Sequence, residues 1–213
     1  MGTITIIGAG AMGTAMAWPA AENGHTINLV GTHLDGAIID SIKKNGLHPK
    51  LKRAVPKNVT PFKHADLSEA LKSINLVISG VSSLGVDWIA ETAGPLLDPA
   101  IPVIAVTKGL MSRSNGEIIT LPVYLSDRIQ QIAKTQVHIN AITGPCIAQE
   151  LAARRHTCVV FCGENADTLE KIRSTLLTSY YQVATSLDLT SLEICAAMKN
   201  AYAVAINLAV GEF

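Results

Sequence analysis

The chain has 213 residues, with 17 Lys and Arg against 17 Asp and Glu, so its formal net charge is zero. Hydrophobic residues make up 48% and charged residues 16%, and mean hydropathy is +0.32, which excludes disorder over most of the chain. Neutrality argues against a nucleic-acid-binding protein, which needs excess basic charge to neutralise phosphates. The length admits one large α/β domain, or one domain and part of another. Aromatics are scarce, so the core is expected from Ile, Val, Leu and Ala.

Apolar runs of strand length alternate with helical patterns from the start. Strands are expected over 3–8, 26–30, 75–81 and 101–107, with helices over 11–23, 35–45 and 84–97 between them. Pro19 falls inside the first of these helices, where a kink costing roughly 3 kcal/mol is expected. Region 112–135 reads as one or two helices broken at Pro122. Strands over 136–142, 157–163 and 182–186 follow, separated by helices over 146–154 and 166–178. Near-continuous Ile/Val runs suit a sheet covered on both faces, and strand–helix alternation gives right-handed βαβ units. The fold class is therefore α/β, a doubly wound Rossmann-type parallel sheet with added strands.

From residue 188 onwards the pattern becomes one long Ala-rich helix, so the organisation is a dinucleotide-binding domain over 1–187 and the first helix of an all-α second domain over 188–213. This helix is apolar on nearly every face and is expected to be buried. Its apolar stretch, residues 194–210, is interrupted by Lys199, Asn200 and Asn207 and reads as too short and too polar to span a bilayer. Four cysteines, Cys146, Cys158, Cys162 and Cys195, form no CxxC pair, and the N-terminus runs straight into a strand without a secretory signal. They read as reduced, mostly buried thiols of a cytoplasmic protein, with Cys158 and Cys162 on one sheet face as core rather than metal ligands. No metal site is expected.

Gly8-Ala9-Gly10-Ala11-Met12-Gly13 is a G-x-G-x-x-G. It follows a hydrophobic strand, opens a helix and precedes a second strand, the context that gives the pattern physical meaning. Gly8 permits the tight turn, Gly10 lets the backbone approach a pyrophosphate, and Gly13 allows close helix–strand packing. At the end of the second strand stands Val30-Gly31-Thr32-His33, with no acid until Asp35. A carboxylate there would hold the ribose of NAD and repel a 2′-phosphate, so its absence favours NADP(H), with NAD(H) possible. Thr32 and His33 can donate hydrogen bonds to either group. Between residues 41 and 65 seven basic residues and no acidic ones occur, read mainly as a solvated loop.

Thr107-Lys108-Gly109-Leu110 puts Lys108 just beyond the carboxyl end of a strand, where ligands of such sheets bind; a surface lysine with its stem on apolar ground is the competing account. Thr143-Gly144-Pro145-Cys146 similarly follows a strand and opens a helix bearing Ala148 and Glu150. Met198-Lys199-Asn200 lies mid-helix. Burial would lower the Lys199 pKa towards a general base, whereas a structural ion pair would be chemically silent.

Together these segments resemble the NAD(P)-dependent glycerol-3-phosphate dehydrogenase family. Gly8–Gly13 matches its fingerprint, Lys108 its T-K-G-L segment, Gly144 through Ala148 and Glu150 its G-P-x-x-A-x-E, and Glu193 through Asn200 its E-x-x-x-x-x-K-N helix. The resemblance implies hydride transfer between NAD(P)H and dihydroxyacetone phosphate, giving sn-glycerol 3-phosphate for phospholipid synthesis. It implies Lys199 as proton acceptor with Asn200 beside it, and Lys108 touching substrate and cofactor. Gly144 and Cys146 would line the substrate side, although Cys146 replaces an expected Ser or Thr. Ala11, Met12, Thr32 and Ala148 would contact the cofactor. A cytoplasmic homodimer acting on a small phosphorylated substrate, with no nucleic acid or integral membrane partner, is the implied setting. Family members continue into a helical substrate domain, so the chain reads as truncated. The alternatives are another lysine-dependent two-domain reductase, such as a ketopantoate-reductase-like enzyme, or an inactive dinucleotide-binding protein.

Overall fold

The computed structural model describes residues 1–211. In chain order the elements are β1 (Thr3–Ile7), α1 (Ala11–Ala15), α2 (Ala17–Glu22), β2 (Thr26–Val30), α3 (Gly36–Asn45), β3 (Leu47–His48), β4 (Arg53–Ala54) and β5 (Val59–Phe62). Then come α4 (Leu67–Ala70), β6 (Leu76–Ser79), α5 (Val86–Thr92), β7 (Val103–Ala105), β8 (Leu110–Ser112), β9 (Ile118–Thr120), α6 (Leu121–Ala133) and β10 (Ile139–Thr143). The chain continues through α7 (Ala148–Ala152), β11 (Thr157–Cys162), α8 (Ala166–Leu176), β12 (Tyr181–Ser186) and α9 (Leu189–Gly211).

Eight strands form one sheet in the order β12-β11-β10-β7-β6-β1-β2-β5. The six from β5 to β10 run parallel; β11 turns antiparallel to β10, and β12 follows β11 in parallel. Alternate side chains of β1 face opposite layers. Ile4 and Ile6 pack with residues of α1, α2, α3, α7 and α8, while Ile7 packs with those of α4, α5 and α6. Both sheet faces are thus covered, as the near-continuous Ile/Val runs require. The expected doubly wound architecture with added strands is what the chain adopts, and its strand order reverses between β1 and β6. Ligands of open α/β sheets bind outside the carboxyl ends of the strands at such a reversal.

Several expectations are corrected. The kink expected from Pro19 is not among them: the first helix is interrupted at Met16, directly after Ala15, whose carbonyl Pro19 has no N–H to meet. Pro122 does not break a helix but sits in the first turn of α6, where no intrahelical N–H is needed. The preceding residues form a β8–β9 hairpin instead of helix. The basic stretch contains the β3–β4 hairpin and β5, an edge strand paired to β2, because Val59-Thr60-Pro61-Phe62 offers too short an apolar run to be read among so many lysines. Of the cysteines only Cys162 is buried; Cys158 and Cys195 are exposed and Cys146 is half-buried. Cys158 lies near the start of β11 and Cys162 at its end, where the Cys162 thiol donates to the Ala141 carbonyl.

The largest correction concerns α9. Expected to be buried, it is exposed along most of its length, with Glu193 its one buried residue. Only its beginning packs on β8, β9 and β10, and no other described layer lies over the rest. Lys199 and Asn200 are accordingly exposed. The helix runs for 23 residues, starting before the apolar stretch counted from sequence, with a mean hydropathy of 1.3 in its most apolar window. By length and composition it is long and apolar enough to cross a membrane, contrary to the expectation from sequence.

Candidate functional site

At the strand-order reversal three glycines interlock. Gly8 follows β1 with φ +111°, and a Cβ on it would lie 2.7 Å from the Gly80 carbonyl carbon after β6. A Cβ on Gly13 would lie 2.2 Å from the Gly8 oxygen, and one on Gly80 2.7 Å from the Gly13 Cα. Each glycine therefore admits the others, and Gly80 is a member that the fingerprint did not reveal. Gly10 differs: a Cβ there meets nothing within 4 Å. The space above Gly10, beside the unpaired first N–H groups of α1, is open to a ligand.

This space belongs to a cavity of about 330 Å³ lined by Gly8, Gly10, Thr32, His33, Lys50 and Trp88, among others. Asp35 lines it too, which overturns the expectation of no acid at the end of β2. The Thr32–Asp35 turn closes with a 3.0 Å hydrogen bond from the Asp35 N–H to the Thr32 carbonyl, bringing the carboxylate back to the strand end. There Asp35 Oδ2 accepts from the Thr32 N–H (2.9 Å), the Thr32 hydroxyl (2.8 Å) and the Ala9 N–H (3.2 Å). The Thr32 hydroxyl is thereby committed to Asp35 and also accepts from the Leu34 N–H, so it is not a free donor for a ribose. His33 packs against Trp88 at the cavity, ring centroids 5.6 Å apart and planes tilted by 49°. Lys50 arrives on the β3–β4 hairpin, anchored by buried His48. His48 Nδ1 accepts from the Leu51 N–H (3.1 Å), so Nε2 carries the proton donated to the Ala9 carbonyl at 2.9 Å.

A second cleft, about 490 Å³, opens at the carboxyl ends of β7 and β10; Lys108, Gly144, Pro145, Cys195, Lys199 and Asn200 are among its lining. Thr107 ties the Lys108 turn to the first cavity, its hydroxyl donating at 2.5 Å to the Val81 carbonyl. The Lys108 ammonium donates to the Gly144 carbonyl at 2.7 Å. Burial lowers the Lys108 pKa, and Lys199 adds to that; Cys146 and Glu193 pull it back up. Two cationic side chains and an amide thus converge on one cleft, an arrangement for binding an anion and moving a proton.

The sequence profile of the NAD-dependent glycerol-3-phosphate dehydrogenase N-terminus matches residues 3–169. The chain belongs to this family. It is 33% identical over 204 residues to the NADP(+)-dependent glycerol-3-phosphate dehydrogenase of Archaeoglobus fulgidus, covering 95% of this chain and 59% of that protein. It is 26% identical to the glycerol-3-phosphate dehydrogenase [NAD(P)+] of Chlamydia trachomatis, covering 98% of this chain and 60% of that one. The chain thus spans about 60% of the length of these curated relatives. In fold it resembles the glycerol-3-phosphate dehydrogenase from Coxiella burnetii, with a TM-score of 0.80 at 23% identity over 99% of this chain and 61% of that one. A ketopantoate reductase from Ralstonia eutropha superposes less well, with a TM-score of 0.60 at 19% identity over 87% of this chain and 56% of that one.

Of the residues expected from this family's motifs, Gly8, Gly10, Thr32 and His33 line the first cavity and Lys108, Gly144, Lys199 and Asn200 the second. Gly13 packs beneath the first. Ala11, Met12 and Cys146 instead pack, half-buried, against the main core, and Ala148 is buried within it where α7 meets α1. Burial pushes the Cys146 thiol up to about 11 against the pull of Lys108, so it is protonated at neutral pH. Asp35, Lys50, Gly80 and Glu193 complete the two sites. Two of these had a signal in the sequence: Asp35, at the head of a helix just after β2, and Glu193, the first residue of the E-x-x-x-x-x-K-N pattern.

Proposed function

We propose that the chain carries the dinucleotide site and part of the substrate site of an oxidoreductase interconverting dihydroxyacetone phosphate and sn-glycerol 3-phosphate. The observation that carries this reading is the convergence of Lys108, Lys199 and Asn200 on one cleft, alongside the glycine cradle of a family named for this reaction. The cradle fits a dinucleotide: Gly8, Gly13 and Gly80 carry no side chain where β1, β6 and α1 approach one another, and the room above Gly10 is free. Gly10 and the α1 N–H groups would hold the pyrophosphate, while His33, Asp35, Lys50 and Trp88 would surround the adenosine. When bound, the nicotinamide supplies or accepts the hydride.

Lys199 holds the proton of the substrate C2 hydroxyl, taking it during oxidation and returning it during reduction. Lys108 orients the oxygen and contributes positive charge beside the phosphate, with Asn200 and the Gly144 turn fixing the pose. NADPH is the favoured cofactor because Lys50 lines the cavity and offers a cation to a 2′-phosphate, which offsets the Asp35 carboxylate that lines it too. Residues 1–187 act as the dinucleotide-binding unit, with α9 opening a helical unit for substrate and for dimerisation. The four free thiols support a reducing, cytoplasmic setting.

The test is NADPH oxidation by dihydroxyacetone phosphate, followed through nicotinamide absorbance, for the natural protein and Lys199→Met. The variant should bind NADPH normally and lose roughly 10²–10⁴-fold in kcat, the share of a general acid–base. Turnover with 2-oxo acids in preference to dihydroxyacetone phosphate, or NADPH binding without any turnover, would overturn the reading.

A further inference from the structure

Glu193 is 0% exposed and is the one buried carboxylate among the described residues, yet it sits on an otherwise exposed helix. Neither of its oxygens meets a donor at hydrogen-bonding geometry. A buried carboxylate without a partner is costly, so nearby charge must compensate it. Lys108 and Gly109, in the turn after β7, line one cleft with Leu192 and Cys195, the helix neighbours of Glu193, and the Lys108 charge and the Gly109 N–H both favour the ionised carboxylate. From the other elements packed here, β11 contributes Cys162, β9 the buried Thr120 hydroxyl, and the β10–α7 turn Cys146 beside Lys108. Arg113 and Glu117 of the β8–β9 hairpin are paired with each other. Its own helix segment adds Asp188, Cys195 and Lys199. Lys108 is thus the cation that faces Glu193 from within the body, although it gives its hydrogen bond to Gly144.

We propose that Glu193 is a positioning residue for Lys108: buried where α9 docks on β8, β9 and β10, beside the cleft that Lys108 and Gly109 line together with Leu192 and Cys195, its carboxylate orients the Lys108 ammonium. Only the consequence for turnover rests on the dehydrogenase reading; the pairing of the two charges does not. Burial pushes Glu193 up to about 7, against the pull of Lys108, while Glu193 in turn opposes the lowering of Lys108 by burial. Cys146 and Cys162 are held at about 11 and about 12 by burial, so neither ionises near neutrality. Glu193 is the neighbour that changes charge there.

The experiment reads Lys108 directly. Lysines of the intact protein are reductively methylated with a ¹³C label, the Lys108 signal is assigned by its loss in Lys108→Arg, and its shift is followed with pH. In the natural protein this signal should show a secondary inflection near pH 7 as Glu193 ionises. In Glu193→Gln the inflection should vanish and the amine should titrate lower by roughly one pH unit, the size expected for losing a nearby opposite charge. A Glu193 that merely fills space would give the same Lys108 titration in both proteins, overturning the proposal. Should Glu193→Gln fail to fold, the secondary inflection in the natural protein decides: its absence overturns the proposal and its presence supports it. The shift without turnover on dihydroxyacetone phosphate would leave the pairing intact and sink only the assigned reaction.

Discussion

Lys108 and Gly144, at the carboxyl ends of the neighbouring strands β7 and β10, are joined by a 2.7 Å hydrogen bond from ammonium to carbonyl. The geometry depends on glycine. Gly144 has φ +109°, and a Cβ on it would lie 3.2 Å from the Cys158 carbonyl oxygen and the Val159 Cα. An alanine there strains the turn and moves the carbonyl that Lys108 reaches.

Gly144→Ala and Lys108→Ala should therefore act on one device. Each is expected to lower kcat/KM roughly tenfold or more, about 1.4 kcal/mol, and the double variant should lose little beyond the worse single one. Strictly additive losses in steady-state kinetics would show that the two residues act independently.

Asp35 and Lys50 make opposite predictions about the cofactor. Asp35→Ala releases three donors, the Ala9 N–H of the glycine turn and the N–H and hydroxyl of Thr32, and should cost roughly 1–3 kcal/mol in stability while weakening NADH and NADPH alike. Lys50→Ala leaves the turn intact and should weaken NADPH selectively, by the loss of a cation near the 2′-phosphate. Equal weakening of both cofactors by Lys50→Ala in fluorescence titrations would remove Lys50 from that role.

Glu193 makes stability depend on pH with a definite sign. Its folded-state pKa is raised from 4.5 to about 7, so between those values the folded state binds more protons than the unfolded one. Stability should thus fall as pH rises through that window and level off above it, by roughly 3 kcal/mol at most. Melting of the natural protein and Glu193→Gln from about pH 5 to about pH 8 isolates this contribution. The natural protein should lose more Tm across the range; parallel profiles would mean that Glu193 ionises as readily folded as unfolded.

The parallel strands, the glycine fingerprint and the two lysines were legible in the sequence because each is local. A five-residue Ile/Val run or a G-x-G-x-x-G announces itself within a few positions. Gly80 was not legible, since only the tertiary approach of β6 to β1 shows that its missing side chain makes room for Gly13. Asp35 was seen but placed wrongly, because the turn that returns its carboxylate to Thr32 is a matter of backbone geometry, not of spacing. The burial of α9 was inferred from its apolar composition. Composition states what a helix would gain by being covered; whether another layer lies over it depends on elements elsewhere. Glu193 is legible as the first letter of a motif, but its burial is not, because that arises from docking on β8, β9 and β10.

The claim that the glycine cradle is a dinucleotide site is tested most directly by NADPH binding to Gly10→Ala. Gly10 has φ −63° and ψ 173°, which alanine adopts freely, and the added methyl meets no protein atom within 4 Å. The variant should therefore melt with the natural protein, whereas a methyl projecting into the pyrophosphate's place should weaken NADPH at least tenfold, about 1.4 kcal/mol. Gly13→Ala, whose Cβ would lie 2.2 Å from the Gly8 oxygen, serves as the contrasting variant that damages the fold itself. Unchanged NADPH affinity in a folded Gly10→Ala protein would contradict the account.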